Sequence, residues 1–174
     1  MKHWSSPPRL RHPVFRNRRI PMFHPVPVVP RADGWTPERQ AAFIGYLAQT
    51  RSVLDAARAV RMGRESAYRL RKRYGAAGFA AAWDAALGKP HAPVNLASAK
   101  STELIASYRA EVGLLQVVMA AGRYAGTHWK ADANAVLEQL AQRDPSMRDP
   151  TGFEEKPHFH RAGEPSTASV DFAS

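Results

Sequence analysis

The sequence contains no cysteine, and this absence excludes disulfide bonds, thiolate zinc sites and cysteine nucleophiles. It also lacks any apolar run near the roughly 18 residues that a membrane-spanning helix needs, and its Arg-rich start has no signal-peptide core. Acidic residues are few, since 15 Asp and Glu stand against 25 Lys and Arg, a formal net charge of +10. We therefore expect a polyanionic partner, nucleic acid before a membrane surface, and a cytoplasmic, nucleoid-associated location.

Sequence motifs of catalysis are missing as well. There is no Gly-rich phosphate loop and no serine on a nucleophile elbow. The carboxylates of the central region stand at scattered, exposed helical positions, at Glu103, Glu111, Asp132 and Glu138. They offer no paired geometry for acid–base catalysis. His158 and His160 flank Phe159 without a neighbouring cysteine, so we expect exposed side chains there and no metal site. The sequence predicts no enzyme, no metal and no cofactor, and no small-molecule effector is evident.

The two ends of the chain have the composition of disordered segments. Residues 1–33 are crowded with prolines and basic side chains, so we predict an extended basic arm. Within it, Arg16, Arg18 and Arg19 are candidates for insertion into a DNA minor groove, although a plain disordered leader is the favoured alternative. Residues 144–174 mix acids, prolines and small polar residues, and we predict a disordered tail there. The folded part is expected between these two segments.

Four helices are predicted first, over residues 34–88. Apolar residues recur at helical spacing throughout, and no alternating run rich in β-branched residues indicates a strand. The first helix has Thr36 as its cap, and the second begins after Ser52. The third ends before Gly75, and the fourth stops at Gly88. These helices define a trihelical unit with a supporting fourth helix.

A helical hairpin is predicted over residues 101–143, after a linker at residues 89–100. Its first helix is capped by Ser101. The apolar positions on one side of that helix are Ile105, Tyr108, Val112, Leu115 and Met119. The second helix begins near Asp132, and the glycines at residues 122–126 permit the reversal. A homodimer through this hairpin is a possible assembly, because specific DNA sites are commonly bound by paired units. The predicted fold class is all-α.

A helix-turn-helix pattern runs from Val53 over about twenty residues. Two short helices that cross steeply approach closely near the middle of the first, where only a small side chain fits. Ala57 occupies that position. The other small and apolar positions, which wedge the turn and seat the second helix, are Ala56, Val60, Met62, Ala67 and Leu70. The pattern predicts a DNA-reading helix near residues 64–73.

Residues 34–40, 56–60, 66–71 and 79–87 resemble the helix-turn-helix proteins of alphaproteobacteria. They resemble more loosely the DNA-binding regions of phage terminase small subunits and insertion-element transposases. The resemblance covers about a third of the chain and implies a homeodomain-like trihelical DNA binder. One departure concerns the turn, where the pattern usually has a glycine with positive φ and this chain has Arg61. Either Arg61 accepts a left-handed conformation at a cost of about 1 kcal/mol, or the turn is rearranged.

The outer face of the third helix supplies the candidate site. Because the N-terminal end of such a helix normally enters the major groove, the candidates for base edges are Arg64, Glu65 and Tyr68. The candidates for phosphate contacts are Arg69, Lys72 and Arg73. We expect sequence-specific binding of double-stranded DNA by a bacterial transcriptional regulator. The alternatives are a DNA-recruiting subunit of a phage packaging or transposition system, and a protein-interaction adaptor without a nucleic-acid role.

Overall fold

A computed structural model describes residues 19–143. The elements, in chain order, are α1 (Pro37–Thr50), α2 (Val53–Ala59), α3 (Arg64–Arg71), α4 (Ala77–Ala86), α5 (Ala99–Thr102), α6 (Ala106–Val112), β1 (Leu114–Ala120), β2 (Arg123–Lys130) and α7 (Ala133–Arg143). The Thr36 hydroxyl accepts from the Arg39 N–H at the start of α1. The Ser52 hydroxyl accepts from the Asp55 N–H at the start of α2. The caps predicted at Thr36 and Ser52 are confirmed, since each satisfies a helical N–H that lacks a partner within the helix. The cap predicted at Ser101 is wrong, because Ser101 lies inside α5 and its N–H donates to the hydroxyl of Ser98, which caps that helix.

The first four helices enclose an aromatic cluster. The ring centre of Phe43 in α1 lies 4.9 Å from that of Trp83 in α4, and 5.5 Å from that of Trp35 in a perpendicular arrangement. Phe79 of α4 stacks on Phe43 at 6.2 Å. Aromatic pairs at such distances contribute about 0.5–1.5 kcal/mol beyond the burial of their area. This cluster joins α1 to α4, while α2 packs on α1, and α3 packs on α2 and α4.

Part of the segment predicted to be a disordered arm is packed into the core. Phe23 is fully buried, and its backbone pairs with that of Leu115 through two hydrogen bonds of 3.2 and 2.8 Å. The buried side chain of Gln40 accepts from the Val26 N–H at 2.7 Å and donates to the Val26 carbonyl at 3.1 Å. For residues 19–33 the expectation of an extended arm is wrong, because apolar side chains between the prolines pack into a core that composition alone does not reveal. Residues 1–18 lie outside the described residues.

The prediction of an all-α fold is wrong, because the structure is mixed α/β. β1 and β2 form a two-stranded antiparallel sheet. The long helix predicted from Ser101 divides instead into α5, α6 and β1. The sheet packs on α1 through Leu115 and Val117, and the ring centre of Tyr124 lies 5.2 Å from that of Tyr46. The last predicted helix is present as α7.

The strand β1 was missed because its apolar spacing fits a helix and a strand alike. Leu115 and Met119 are four residues apart, a spacing that repeats on one face of a helix and also on one face of a strand. Gly113 excludes a continuous helix through this segment, because its φ is 63°. A Cβ at this position would also meet the carbonyl of Lys130. This left-handed glycine ends α6 and turns the chain into β1.

A buried polar cluster ties the N-terminal segment to α6 and α7. The Nε2 of His24 lies 2.8 Å from the Oδ2 of Asp132, and the Oδ1 of the same carboxylate accepts from the Ala135 N–H at 3.0 Å. The buried Arg109 of α6 forms an ion pair with Glu138 of α7 and lies 3.8 Å from Asp132. Burial lowers the pKa of His24 below its ordinary value, although the hydrogen bond to Asp132 acts in the opposite direction. The cluster fixes three sequence-distant segments together.

One continuous core joins the trihelical unit and the segment that follows it. Leu115 and Val117 of β1 belong to the same buried cluster as Phe43 of α1. Buried residues from both predicted segments, residues 34–88 and residues 101–143, therefore belong to one core. The predicted tail at residues 144–174 lies outside the described residues.

Candidate nucleic-acid interface

A tight turn joins α2 to α3. Ala56 and Ala57, the small residues predicted where the helices meet, are fully buried. The Arg61 N–H donates to the Arg58 carbonyl at 3.0 Å. The Met62 N–H donates to the Ala57 carbonyl at 2.9 Å, and together these are the two bonds of a Schellman turn. Arg61 has a φ of 57°, so the chain takes the first of the two alternatives for this turn, a left-handed arginine where glycine is usual.

The inner face of α3 is held by packing and by one ion pair. Ala67 and Leu70 are buried, as the pattern predicts. Arg71 donates to both carboxylate oxygens of Asp84 in α4, at 3.0 and 2.8 Å. Its guanidinium lies 5.4 Å from the ring centre of Trp83, which adds a cation–π contact. Arg71 is therefore a positioning residue that fastens α3 to α4, and its charge is already neutralised within the protein.

The first turn of α3 is held by Trp35. The indole N–H donates to the Ser66 hydroxyl oxygen at 3.3 Å. The Ser66 hydroxyl in turn donates to the carbonyl of Gly63, the residue that precedes α3, at 2.6 Å. Sequence reasoning missed this connection because Trp35 and Ser66 are 31 residues apart and neither belongs to a motif that links them.

The three residues predicted to contact base edges lie on the N-terminal half of α3. Arg64 and Glu65 are exposed and form an ion pair with each other at 3.2 Å. An exposed ion pair contributes about 0–1 kcal/mol, so both side chains are available to an external partner at little cost. Tyr68 is 38% exposed because its ring packs 5.4 Å from that of Trp83. Residues three and four positions apart share one face of a helix, and the structure brings these three together on such a face.

The residues predicted to contact phosphates lie at the C-terminal end of α3 and just beyond it. Arg69, Lys72 and Arg73 are exposed, and none of them forms an ion pair with another described residue. Of the three predicted arm residues, Arg19 is exposed at the start of the described segment. Arg16 and Arg18 lie outside the described residues. The structure therefore brings the α3 residues together and describes only one of the three arm residues, whose proposed contact with DNA stays a prediction.

Three exposed side chains next to α3 were not predicted as part of the site. Arg58 lies on α2 and Arg61 in the turn, and both are exposed. Their signal was present, because the first helix of this motif crosses the DNA backbone and basic residues on its outer side suit phosphate. Tyr74 follows α3 and is 72% exposed. Its exposure had no sequence signal, since an apolar aromatic ring is usually at least partly buried.

Other kinds of site find no support in the part of the chain that the structure describes. Residues 19–143 hold no group of three or more His, Asp or Glu side chains placed to share a metal ion. Over the same range, no helix has the length and apolarity needed to cross a lipid bilayer. The candidate interface depends on the charge, exposure and backbone geometry of α2 and α3. No family model, curated protein or solved structure gives a significant match to this chain.

Proposed function

We propose that this protein binds double-stranded DNA sequence-specifically through α3 and acts as a helix-turn-helix transcriptional regulator. The observation that carries the proposal is the outer surface of α3, where Arg69, Lys72 and Arg73 are exposed and engaged in no ion pair with a described residue. A basic side chain that already has an internal partner must lose it before it binds phosphate. Within residues 19–143 these three side chains have no such partner to lose, which supports a polyanionic ligand.

The charge around α3 supports the same proposal. Residues 51–73 contain two acids, Asp55 and Glu65. The basic residues of this stretch are Arg51, Arg58, Arg61, Arg64, Arg69, Arg71, Lys72 and Arg73. Such a local excess raises the concentration of a polyanion at the surface, and each phosphate contact releases counterions from DNA. Random duplex DNA is therefore expected to bind, with specificity added by contacts to the bases.

The base contacts that we propose follow from the position of residues along α3. A reading helix enters the major groove by its N-terminal end, which in α3 carries Arg64, Glu65 and Tyr68. The fork of an arginine matches the O6 and N7 acceptors of guanine, and a glutamate accepts from the N4 amino group of cytosine. Arg69 and Arg73 follow toward the other end, where the helix leaves the bases and approaches the backbone.

Two copies of the chain are proposed to act together on one site. α3 has 8 residues and reaches few base pairs by itself. Motifs of this size usually gain affinity and specificity by binding two half-sites about 34–36 Å apart. A palindromic preferred sequence with that spacing would follow from a two-fold symmetric pair.

The experiment that tests this function measures the affinity of the full chain for duplex DNA at several salt concentrations by fluorescence anisotropy. Affinity should fall steeply between about 50 and 200 mM salt, and Arg73→Ala should reduce the slope of log K against log salt by about 1. Arg143→Ala is the matched control, because it removes one exposed arginine at the end of α7 and should leave the slope unchanged. Absence of binding, or an affinity insensitive to salt, would contradict the proposal and favour the adaptor alternative.

A further inference from the structure

A half-open cavity of about 480 Å³ lies between the N-terminal segment, the start of α1 and α6. Its walls are mainly apolar, with Val26, Val28, Trp35, Pro37 and Val112 among the lining residues. The volume falls within the range of about 300–1,000 Å³ that is typical of small-molecule sites. The cavity is thus large enough for a compact organic ligand.

Two groups on α6 supply hydrogen-bond acceptors to the lining of the cavity. The Tyr108 hydroxyl donates to the carbonyl of Pro25 at 3.1 Å, which leaves its oxygen able to accept a hydrogen bond. The exposed carboxylate of Glu111 is a second acceptor on the same wall. Burial and the nearby charge of Glu111 raise the pKa of Tyr108, so its hydroxyl keeps its proton. On the opposite side, Arg31 is exposed, and the Gln40 amide is satisfied by backbone groups of the protein.

Trp35 connects this cavity to the candidate reading helix. Its ring lines the cavity and also lines a smaller recess that it shares with Arg69 and Arg73. Its indole N–H donates to the Ser66 hydroxyl in the first turn of α3. A ligand that packs on the indole ring would therefore restrict Trp35 and, through Ser66, the start of α3.

We propose that the cavity binds a small, predominantly apolar molecule that carries one hydrogen-bond donor, and that its occupancy controls the position of α3. The donor meets Tyr108 or Glu111, and the apolar body lies against Trp35 and the valines. The control of α3 as a regulatory step rests on the DNA-binding function proposed above, whereas the ligand site does not. The sequence shows no sign of this site, because its walls come from separate segments at residues 26–40 and 108–112.

The ligand site is tested with N-phenyl-1-naphthylamine, an uncharged aromatic amine with one N–H that fluoresces in apolar surroundings. An uncharged probe avoids simple attraction to a protein of net charge +10. The full chain should bind it saturably at one site. Ala32→Trp, which fills the cavity from an exposed loop, and Val112→Gln, which places an amide in the apolar wall, should each weaken binding by about tenfold or more. Ala92→Trp, in an exposed loop outside the lining, should leave binding unchanged.

The connection to α3 is measured by NMR without DNA. On saturation with the probe, the indole N–H signal of Trp35, identified with Trp35→Phe, and the amide signals of Ser66 and Arg69 should shift. Saturation should also change the affinity for duplex DNA by about threefold or more, and Ser66→Ala should reduce that change.

Each other outcome overturns a defined part of the proposal. Absence of saturable binding, as expected if residues outside 19–143 fill the cavity, overturns the ligand site. Probe binding without a shift at Trp35 and Ser66, or with these shifts but with an unchanged affinity for DNA, overturns the control of α3, whereas the ligand site still stands. Probe binding with these shifts but no affinity for DNA supports the site and overturns the proposed function, so the two failures are distinguishable.

Discussion

The backbone of Arg61 is left-handed, with a φ of 57°, and the bond from its N–H to the Arg58 carbonyl helps to hold it there. This conformation costs a residue with a Cβ about 1–2 kcal/mol, whereas glycine adopts it freely. We expect Arg61→Gly to raise the free energy of unfolding in urea by about 0.5–1 kcal/mol, because the greater freedom of glycine in the unfolded chain offsets part of the gain.

Arg58→Gly is the matched control for this substitution. It also removes one exposed arginine, but from helical backbone in α2, so it should lower the free energy of unfolding by about 0.5–1 kcal/mol. If both variants are destabilised equally, the left-handed residue stores no strain.

Arg64 and Arg73 differ in their distance from the end of α3 that we propose enters the major groove, although each carries one charge. If the proposed base contact is made, Arg64→Ala should cost about 1–3 kcal/mol of affinity on a selected site and much less on scrambled duplex. Arg73→Ala should weaken binding to both DNAs alike, since a phosphate contact carries no sequence information. The measurement is a pair of binding curves for each variant at one salt concentration. Equal losses for Arg64→Ala on both DNAs would withdraw the claim of sequence-specific reading.

At the scale of elements, the sheet and α1 meet where Gly45 faces Tyr124. A Cβ at Gly45 would overlap the ring of Tyr124, so the helix and the sheet approach too closely there for any side chain on α1. Gly45→Ala would ordinarily stabilise a helix interior by about 1 kcal/mol. Here we expect a net loss of about 1–2 kcal/mol in urea unfolding, because the overlap forces the sheet to shift.

In a protein that already carries Tyr124→Ala, we expect Gly45→Ala to stabilise the fold instead of destabilising it. Tyr124→Ala removes the three atoms that a Cβ at Gly45 would meet first, so the normal gain of about 1 kcal/mol should return. A double-mutant cycle measures this difference. The same sign of effect in both backgrounds would show that the ring of Tyr124 does not determine the requirement for glycine.

The elements that the sequence predicted are those determined by neighbours along the chain. The caps at Thr36 and Ser52 follow from contacts within three residues, and the buried Ala57 follows from a motif of about twenty residues; the structure has each of them. The sheet was not predictable in this way, because Leu115 and Met119 suit a helix equally well and the choice depends on packing against α1. In the candidate site, the exposed basic residues of α3 could be predicted from the local sequence. The contacts that hold α3 in place, from Trp35 to Ser66 and from Arg71 to Asp84, could not, because they join residues 31 and 13 positions apart.

At the scale of the whole molecule, the segment at residues 23–24 contacts both β1 and the residue that precedes α7. Phe23 pairs with Leu115, and the adjacent His24 bonds to Asp132, which is 108 residues away. Arg109 completes the closure between α6 and α7 through Glu138. A segment whose composition suggests a free arm therefore serves as the link between the two ends of the described fold. The stability of the protein should therefore depend on the protonation of the His24 imidazole, which lies within this link.

That dependence has a definite sign. Burial places the pKa of His24 in the folded protein below its ordinary value of 6.5, so between the two values the unfolded chain binds more protons than the folded one. The contribution of the neutral imidazole to the free energy of unfolding is complete above pH 6.5 and is lost as the pH falls toward the lowered value. We expect the protein to lose stability between about pH 7 and 5, and His24→Gln to lose less over the same interval.

The glutamine in that variant keeps a donor for the Asp132 carboxylate but does not titrate, and the charges of Arg109, Asp132 and Glu138 are common to both proteins. Subtracting one stability curve from the other therefore isolates the imidazole. His128→Gln is the matched control, because it removes an exposed imidazole on β2 and should leave the pH dependence of the parent unchanged. The measurement is urea unfolding of the three proteins at several pH values. Parallel curves for the parent and His24→Gln would show that the link between the N-terminal segment and α7 is insensitive to the protonation of His24.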